Sequence, residues 1–201
     1  PLGRGRALRI ADDADETAAR AVLVYHKPLG EVTTRRDPQG RPTVFERLPP
    51  APAGRWVVVG RLDVNTSGLL LFTTDGELAH RLMHPSAEIE REYLVRVRGV
   101  ASAAQLERLQ QGVQLEDGPA RFESLRPSGA TGAAGATPGA SHDWYRVVLK
   151  EGRNREVRRL WQAVGLDVSR LKRLRYGAVQ LPDDLPAGQW RLLPAAEAAR
   201  L

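Results

Sequence analysis

Three short apolar runs set the rhythm of the first half of the chain: Ala21 to Tyr25, Val57 to Val59 and Leu69 to Phe72. Each is rich in branched aliphatic residues and bounded by turn formers, the pattern of buried strands. His26-Lys27-Pro28-Leu29-Gly30 is a turn that ends the first run. Arg91 to Val97 instead alternates, with Tyr93, Val95 and Val97 on one face and Arg96 and Arg98 on the other, which predicts a half-buried strand. Further strands are expected over Ala120 to Leu125, Trp144 to Leu149, Val168 to Tyr176 and Gln189 to Leu193. Helical signals are fewer. Thr74 and Glu77 fit a capping box that opens a helix from Gly76 to Met83, stopped by Pro85. Ser102 and Gln105 open a second helix that Gly112 closes, and Thr43 to Leu48 reads as one helical turn before a proline-rich connector. Asn154 is placed to cap a third helix running to about Val164, with Gly165 as its stop. On that helix Val157, Leu160, Trp161 and Val164 recur at i, i+3, i+4 and i+7, while Arg155, Arg158, Arg159 and Gln162 form a second stripe. Many strands, few helices and no repeating βαβ unit predict an α+β fold with a mixed, mostly antiparallel sheet.

Two segments lie outside this pattern. Residues 127 to 141 are almost entirely Gly, Ala, Ser, Thr and Pro, which bury too little apolar surface to pack, so a mobile loop joining two strands is expected. Residues 1 to 20 read as the tail of a linker, leaving residues 21 to 195 as one domain. A length of 201 residues, 42% of them hydrophobic and 27% charged, suits one sizeable core. No apolar run reaches membrane-spanning length, no signal-peptide pattern is visible, and a cytoplasmic monomer is the simplest expectation. Zero cysteines exclude disulfides, thiol catalysis and cysteine-ligated zinc.

Charge changes the picture. The formal net charge is +6, yet Arg146 to Arg175 alone holds ten Lys/Arg against three acids, a net of +7. Such concentration is the footprint of a polyanion partner, or else a solvated basic face. The most informative stretch for chemistry is Gly60-Arg61-Leu62-Asp63-Val64-Asn65-Thr66-Ser67-Gly68. It places a single carboxylate in a tight loop between two buried strands, a rigid support for a reactive group. Read from pattern alone, the favoured role of Asp63 is structural, capping the turn or pairing with Arg61. His80 and His84 have metal-ligand spacing but no third ligand, and Arg81 stands where a metalloprotease helix has glutamate, so no metal is expected. The four tryptophans each sit on or beside an apolar face and are expected in the core.

The string GRLDVNTSGLLLFTTDGELAHRLMHP resembles the central motif of the RNA pseudouridine synthases, in the branch that acts on ribosomal RNA. A second stretch, KEGRNREVRRLWQAVGLDVSRLKRLRYGAVQLPDDLPAGQW, is most similar to the large-subunit members of that branch. The resemblance spans about Val22 to Leu193 and implies isomerisation of a uridine in ribosomal RNA, in a stem-loop of the large subunit. The target base must be flipped out for this chemistry, and no cofactor is needed. It implies that Asp63 is the catalytic carboxylate, that Arg158 is its cationic partner, and that Tyr93 stacks on the base or relays a proton. By residue pattern, Tyr93 is otherwise a core tyrosine and Arg158 a phosphate contact. Arg61 is a candidate to fill the space the flipped base vacates. Arg153, Asn154, Arg155, Arg159, Lys172, Arg173 and Arg175 are expected to contact RNA. Members of this branch carry an S4-type RNA-binding domain ahead of the catalytic domain, and nothing in Pro1 to Arg20 resembles it. Two rivals remain. One is a non-catalytic RNA-binding or ribosome-assembly module. The other is a glycosidic-bond hydrolase, which needs Glu92 or Glu156 as a second acid.

Overall fold

The computed structural model describes residues 20–128 and 142–201. The first apolar run is strand β1 (Val22–Lys27), which pairs with β3 (Ser67–Thr73), and β3 in turn pairs with β2 (Val57–Val59). Their alternate side chains enter different cores. Val22, Val24, Leu69 and Leu71 join one buried cluster, while Leu23, Tyr25, Leu70 and Phe72 join a second on the opposite face. A strand covered on both sides gains nothing from polar alternation, which is why these runs read as continuously apolar.

Strand β4 (Arg91–Arg98) alternates buried and half-buried positions, as its sequence predicts, and leads to helix α2 (Ala103–Gln111). The short hairpin β5 (Val113–Leu115) and β6 (Gly118–Ala120) follows, then β7 (Ser124–Ser128) and β8 (His142–Leu149). Helix α3 (Glu156–Ala163), β9 (Val168–Tyr176), β10 (Val179–Gln180), β11 (Trp190–Leu192) and α4 (Ala195–Ala198) complete the order. Helix α1 (Gly76–Met83) lies between β3 and β4. Among the described residues nine strands form one sheet in the order β11-β1-β3-β9-β4-β8-β7, with β2 paired to β3 and β10 to β9. Every pairing is antiparallel except β3 with β9, where Ser67 faces Lys172 and Gly68 faces Arg173. The mixed, mostly antiparallel α+β expectation is met.

That single parallel junction joins the two halves of the sheet, and Gly68 makes it possible. Its φ is +107°, and a Cβ added there would lie 2.2 Å from the Arg173 carbonyl oxygen. Only glycine lets the two backbones approach this closely.

The Ser102–Gln105 capping box forms as expected, and Val157, Leu160, Trp161 and Val164 are all buried. The N-cap of α1 is Asp75, not Thr74: its carboxylate accepts from the Glu77 and Leu78 amides. The N-cap of α3 is Arg155, not Asn154, in a left-handed conformation (φ 51°) with no side-chain cap. Thr43 to Leu48 forms consecutive turns and no helix, and the expected strand over Ala120 to Leu125 is divided between β6 and β7. Trp56 and Trp161 are core residues, whereas Trp144 lies half-buried beside Arg96 and Trp190 is 37% exposed on an edge strand. Pro127 and Ser128 belong to β7; the remainder of the Gly/Ala/Ser-rich stretch and the first nineteen residues lie outside the described residues. No helix among the described residues is long and apolar enough to cross a membrane.

Candidate active site

Asp63 sits in the loop between β2 and β3, and the loop is tied down at nearly every peptide. The Thr66 amide donates to the Asp63 carbonyl at 3.0 Å, closing the turn, and the Gly30 amide donates to Val64 O at 2.9 Å. Thr33 Oγ1 donates to Leu62 O at 2.8 Å and accepts from the Leu62 amide. From below, the fully buried Lys27 ammonium donates to Thr66 O at 2.7 Å and to Pro28 O at 3.0 Å. Burial pulls the Lys27 pKa down to about 8, opposed by the nearby Glu31 and Asp63 carboxylates. Glu31 is itself buried and accepts a 2.5 Å hydrogen bond from Tyr25. The carboxylate of Asp63 therefore projects from a loop with little freedom to move.

The guanidinium on Asp63 is that of Arg155, with Nη1 3.2 Å from Oδ2. The expected partner, Arg158, makes its hydrogen bond to the loop backbone instead, although Asp63 is near enough to favour its charge. Arg155 occupies the left-handed region just before α3, a conformation a non-glycine residue holds only when its surroundings enforce it. Arg158 lies in the first turn of α3 and donates instead to Asn65 O at 2.9 Å, gripping the same loop two residues further on. Burial, then the adjacent Arg155, lowers the Arg158 pKa, and Asp63 partly opposes them. Both arginines serve the Asp63 loop, one through the carboxylate and one through the backbone.

Asp63 opens onto a cavity of about 600 Å3 that is also lined by Arg61, Tyr93, Arg153, Asn154, Arg155 and Arg173. This is within the usual size range of a small-molecule pocket. Tyr93 is only 8% exposed, so it is both a core residue and a wall of the cavity; its two sequence readings are compatible. At the back, the Tyr176 ring lies between Arg91 and Arg173, whose guanidinium carbons are 4.8 and 5.1 Å from its centroid. Arg61 is exposed at the cavity wall.

The basic stretch is less free than its charge suggests. Arg153 pairs with Asp117, Glu151 and Glu156, and Arg159 pairs with Asp117. Arg175 is held by Glu90 and Glu92, and Arg146 also approaches Glu92. Arg173, expected to contact RNA, is 3% exposed on the cavity lining; its Nε donates to Leu69 O, while its Nη2 is buried without a partner among the described residues. Arg155 and Asn154 are exposed, and Lys172 is half-buried. Acids supplied by β4, the β5–β6 turn and the segment before α3 neutralise much of a charge that is local in sequence.

The two acids required by a hydrolase separate clearly. Glu92 alternates to the face away from Tyr93 and is engaged by Arg126, Arg146 and Arg175. Glu156 does line the cavity, but Oε1 accepts from the Arg153 amide and Oε2 meets the Arg153 guanidinium, so its carboxyl fastens the segment before α3. Burial and a hydrogen bond with Glu151 hold it above the ordinary carboxylate range. His80 and His84 rings stack edge-on, and among the described residues no group of three potential ligands could hold a metal. Lys27, Gly68, Arg91 and Tyr176 were missed by sequence reasoning. Only Lys27 carried a signal, as a lone charge closing an apolar strand.

Comparison with known proteins agrees with this geometry. The chain is 56% identical over 193 residues to ribosomal large subunit pseudouridine synthase B of Escherichia coli strain K12, covering 96% of this chain and 63% of that protein. It is 60% identical over 178 residues to the protein of the same name from Yersinia pestis, covering 89% of this chain and 53% of that one. The chain thus spans less than two thirds of the length of these relatives. A solved pseudouridylate synthase superposes with a TM-score of 0.74 at 28% identity, covering 89% of this chain and 72% of the other. Residues 21–163, including β1, the Asp63 loop, Tyr93 and α3, match the model of the RNA pseudouridylate synthases, and the chain belongs to that family.

Proposed function

We propose that this chain isomerises a uridine in large-subunit ribosomal RNA to pseudouridine, with Asp63 as the catalytic carboxylate. In the reaction the N1–C1′ bond breaks, the uracil turns, and C5 bonds to C1′. The C5 hydrogen leaves as a proton and N1 gains one, so atoms and electrons balance without a redox partner. The observation that carries the reading is convergence. Asp63, Tyr93 and Arg155 come from three separate segments and meet at one cavity.

Asp63 needs its charge, whether it acts at C1′ or on the pyrimidine ring. Arg155 supplies a permanent cation beside it, because a guanidinium does not deprotonate near neutral pH. The rigid loop aims the carboxylate, and Tyr93 offers a ring to stack on the uracil and a phenol to relay the C5 proton. A uridine within a stem must first be everted, at a cost of about a few kcal/mol, and Arg61 stands where it can fill the gap. The relatives are named for the ribosomal large subunit, which supports RNA of that subunit as the substrate.

Asp63→Asn keeps the size and hydrogen-bonding capacity of the side chain but removes its charge. RNA affinity should be nearly unchanged while tritium release from C5-labelled ribosomal RNA fragments is abolished. Undiminished release by the variant would end the assignment of Asp63. Release of free uracil by the unaltered chain would instead favour a hydrolase.

A further inference from the structure

Beside the catalytic cavity, on the other side of Arg155, lies a second and smaller cavity of about 260 Å3. It is lined by Arg98, Arg155, Arg158, Gln162, Asp167 and Val168. Three guanidinium groups and one amide face a single carboxylate, so the space carries a net positive charge. Arg98 has no hydrogen-bonding or ionic partner for its side chain among the described residues. Arg158 Nε is buried and also lacks a partner among them, although the Nη2 of the same group is satisfied by Asn65 O. Leaving a buried charged donor unmatched is unfavourable unless something fills the site. The crowding of like charges is real, since Arg155 is one of the groups that lower the proton affinity of Arg158.

We infer that Arg98, Arg155, Arg158 and Gln162 form a subsite for one phosphodiester of the RNA backbone, immediately beside the everted uridine. A tetrahedral anion suits the lining: guanidinium forks grip phosphate oxygens in pairs, and the Gln162 amide adds a neutral donor. Arg155 lines both cavities. It therefore joins the two events, holding Asp63 with one edge and offering the other to the backbone next to the target nucleotide. Asp167 is the opposing element. Its backbone carbonyl accepts from the Arg98 amide at 2.9 Å, which fixes the acid beside the cluster, and its carboxylate weakens anion binding. Arg98 stands outside the basic stretch of the sequence and reaches the subsite only because β4 pairs with β9.

This rests on the reading of the chain as an enzyme acting on RNA, but binding and turnover are measured separately. A variant set would be titrated with a uridine-containing stem-loop of large-subunit ribosomal RNA over a salt series. Arg98→Ala should weaken binding and reduce the slope of log K against log salt by about 0.7 to 0.9, the value for one phosphate contact. Arg98→Lys should restore most of that slope. Asp167→Asn should move affinity the opposite way, tightening binding by several fold. Arg200→Ala removes the same charge at a separate cavity beside β11 and should leave the slope unaltered. An Arg98→Ala slope equal to that of the unaltered chain, or no tightening by Asp167→Asn, overturns the subsite. If inorganic phosphate competes with RNA while Arg98→Ala leaves RNA binding unaffected, the cavity is a free-anion site and the inference falls. A chain that shows the full pattern yet makes no pseudouridine would refute the enzymatic reading and leave the subsite standing.

Discussion

Replacing Lys27 by methionine tests how the active-site loop is held. The ammonium is fully buried and donates to the carbonyls of Thr66 and Pro28. Methionine has similar reach and no donor, so the buried Thr66 carbonyl loses its partner at about 1–3 kcal/mol, and the part-buried Pro28 carbonyl at less. Against this, the folded protein no longer holds an ammonium in a dry site. A pKa lowered from 10.5 to about 8 corresponds to roughly 3 kcal/mol of disfavoured charge. The two effects are of similar size, so the net stability change at neutral pH is a poor test. Its pH dependence is a sharp one. Because the folded pKa lies below the unfolded one, the unfolded chain binds more protons between about pH 8 and 10.5, and stability must rise with pH in that window. At pH 9 the expected contribution is about 1 kcal/mol per pH unit, and from pH 8 to 9.5 roughly 1.5 kcal/mol. Urea denaturation at several pH values would measure it as the difference in slope between the unaltered chain and Lys27→Met. The comparison removes the opposing contribution of Tyr25 and Tyr145, whose ionisation is pushed upward by burial. Equal slopes in the two proteins would refute the picture of a buried, charged lysine. Catalysis should respond as well: a loosened loop misplaces Asp63, lowering kcat by roughly 10- to 100-fold with little change in RNA affinity.

Other expectations follow from the same structure. Gly68→Ala forces a Cβ against the Arg173 backbone at φ +107°, so it should destabilise by at least about 3 kcal/mol and lower Tm by roughly 6–12 °C in a thermal melt; a variant melting within a degree of the parent would show that β3 and β9 are not so closely joined. Glu156 is protonated more readily when folded than unfolded, so its contribution is lost as pH rises from the ordinary carboxylate range toward neutrality. Glu156→Gln, which can still accept from the Arg153 amide, should flatten that part of the stability profile, and an unchanged profile would count against a raised Glu156. Tyr93→Phe should retain fold and RNA affinity while slowing proton loss at C5, whereas unaffected tritium release would limit Tyr93 to packing and stacking.

The sequence alone determined the elements whose signals are local. Periodicity placed the buried face of α3 and the strand β4 within a residue or two, because burial of one face leaves its spacing in the chain, and local start and stop residues bounded α1. The motif around Asp63 was legible for a related reason: a tight loop between two buried strands needs particular residues in a particular order. What tertiary structure alone decided is which charges meet. Asp75 and Arg155, rather than Thr74 and Asn154, stand at the caps. Arg155 reached Asp63 across 92 residues, and Arg158 took the Asn65 carbonyl instead. Arg153, Arg159 and Arg175 found acids on other elements, so a stretch with an excess of positive charge offers fewer free cations than it contains. Arg98, outside that stretch, became a free one. Hydrophobic burial acts on each segment's own pattern, whereas ion pairing and close backbone approach depend on distances set only when β3 and β9 come together.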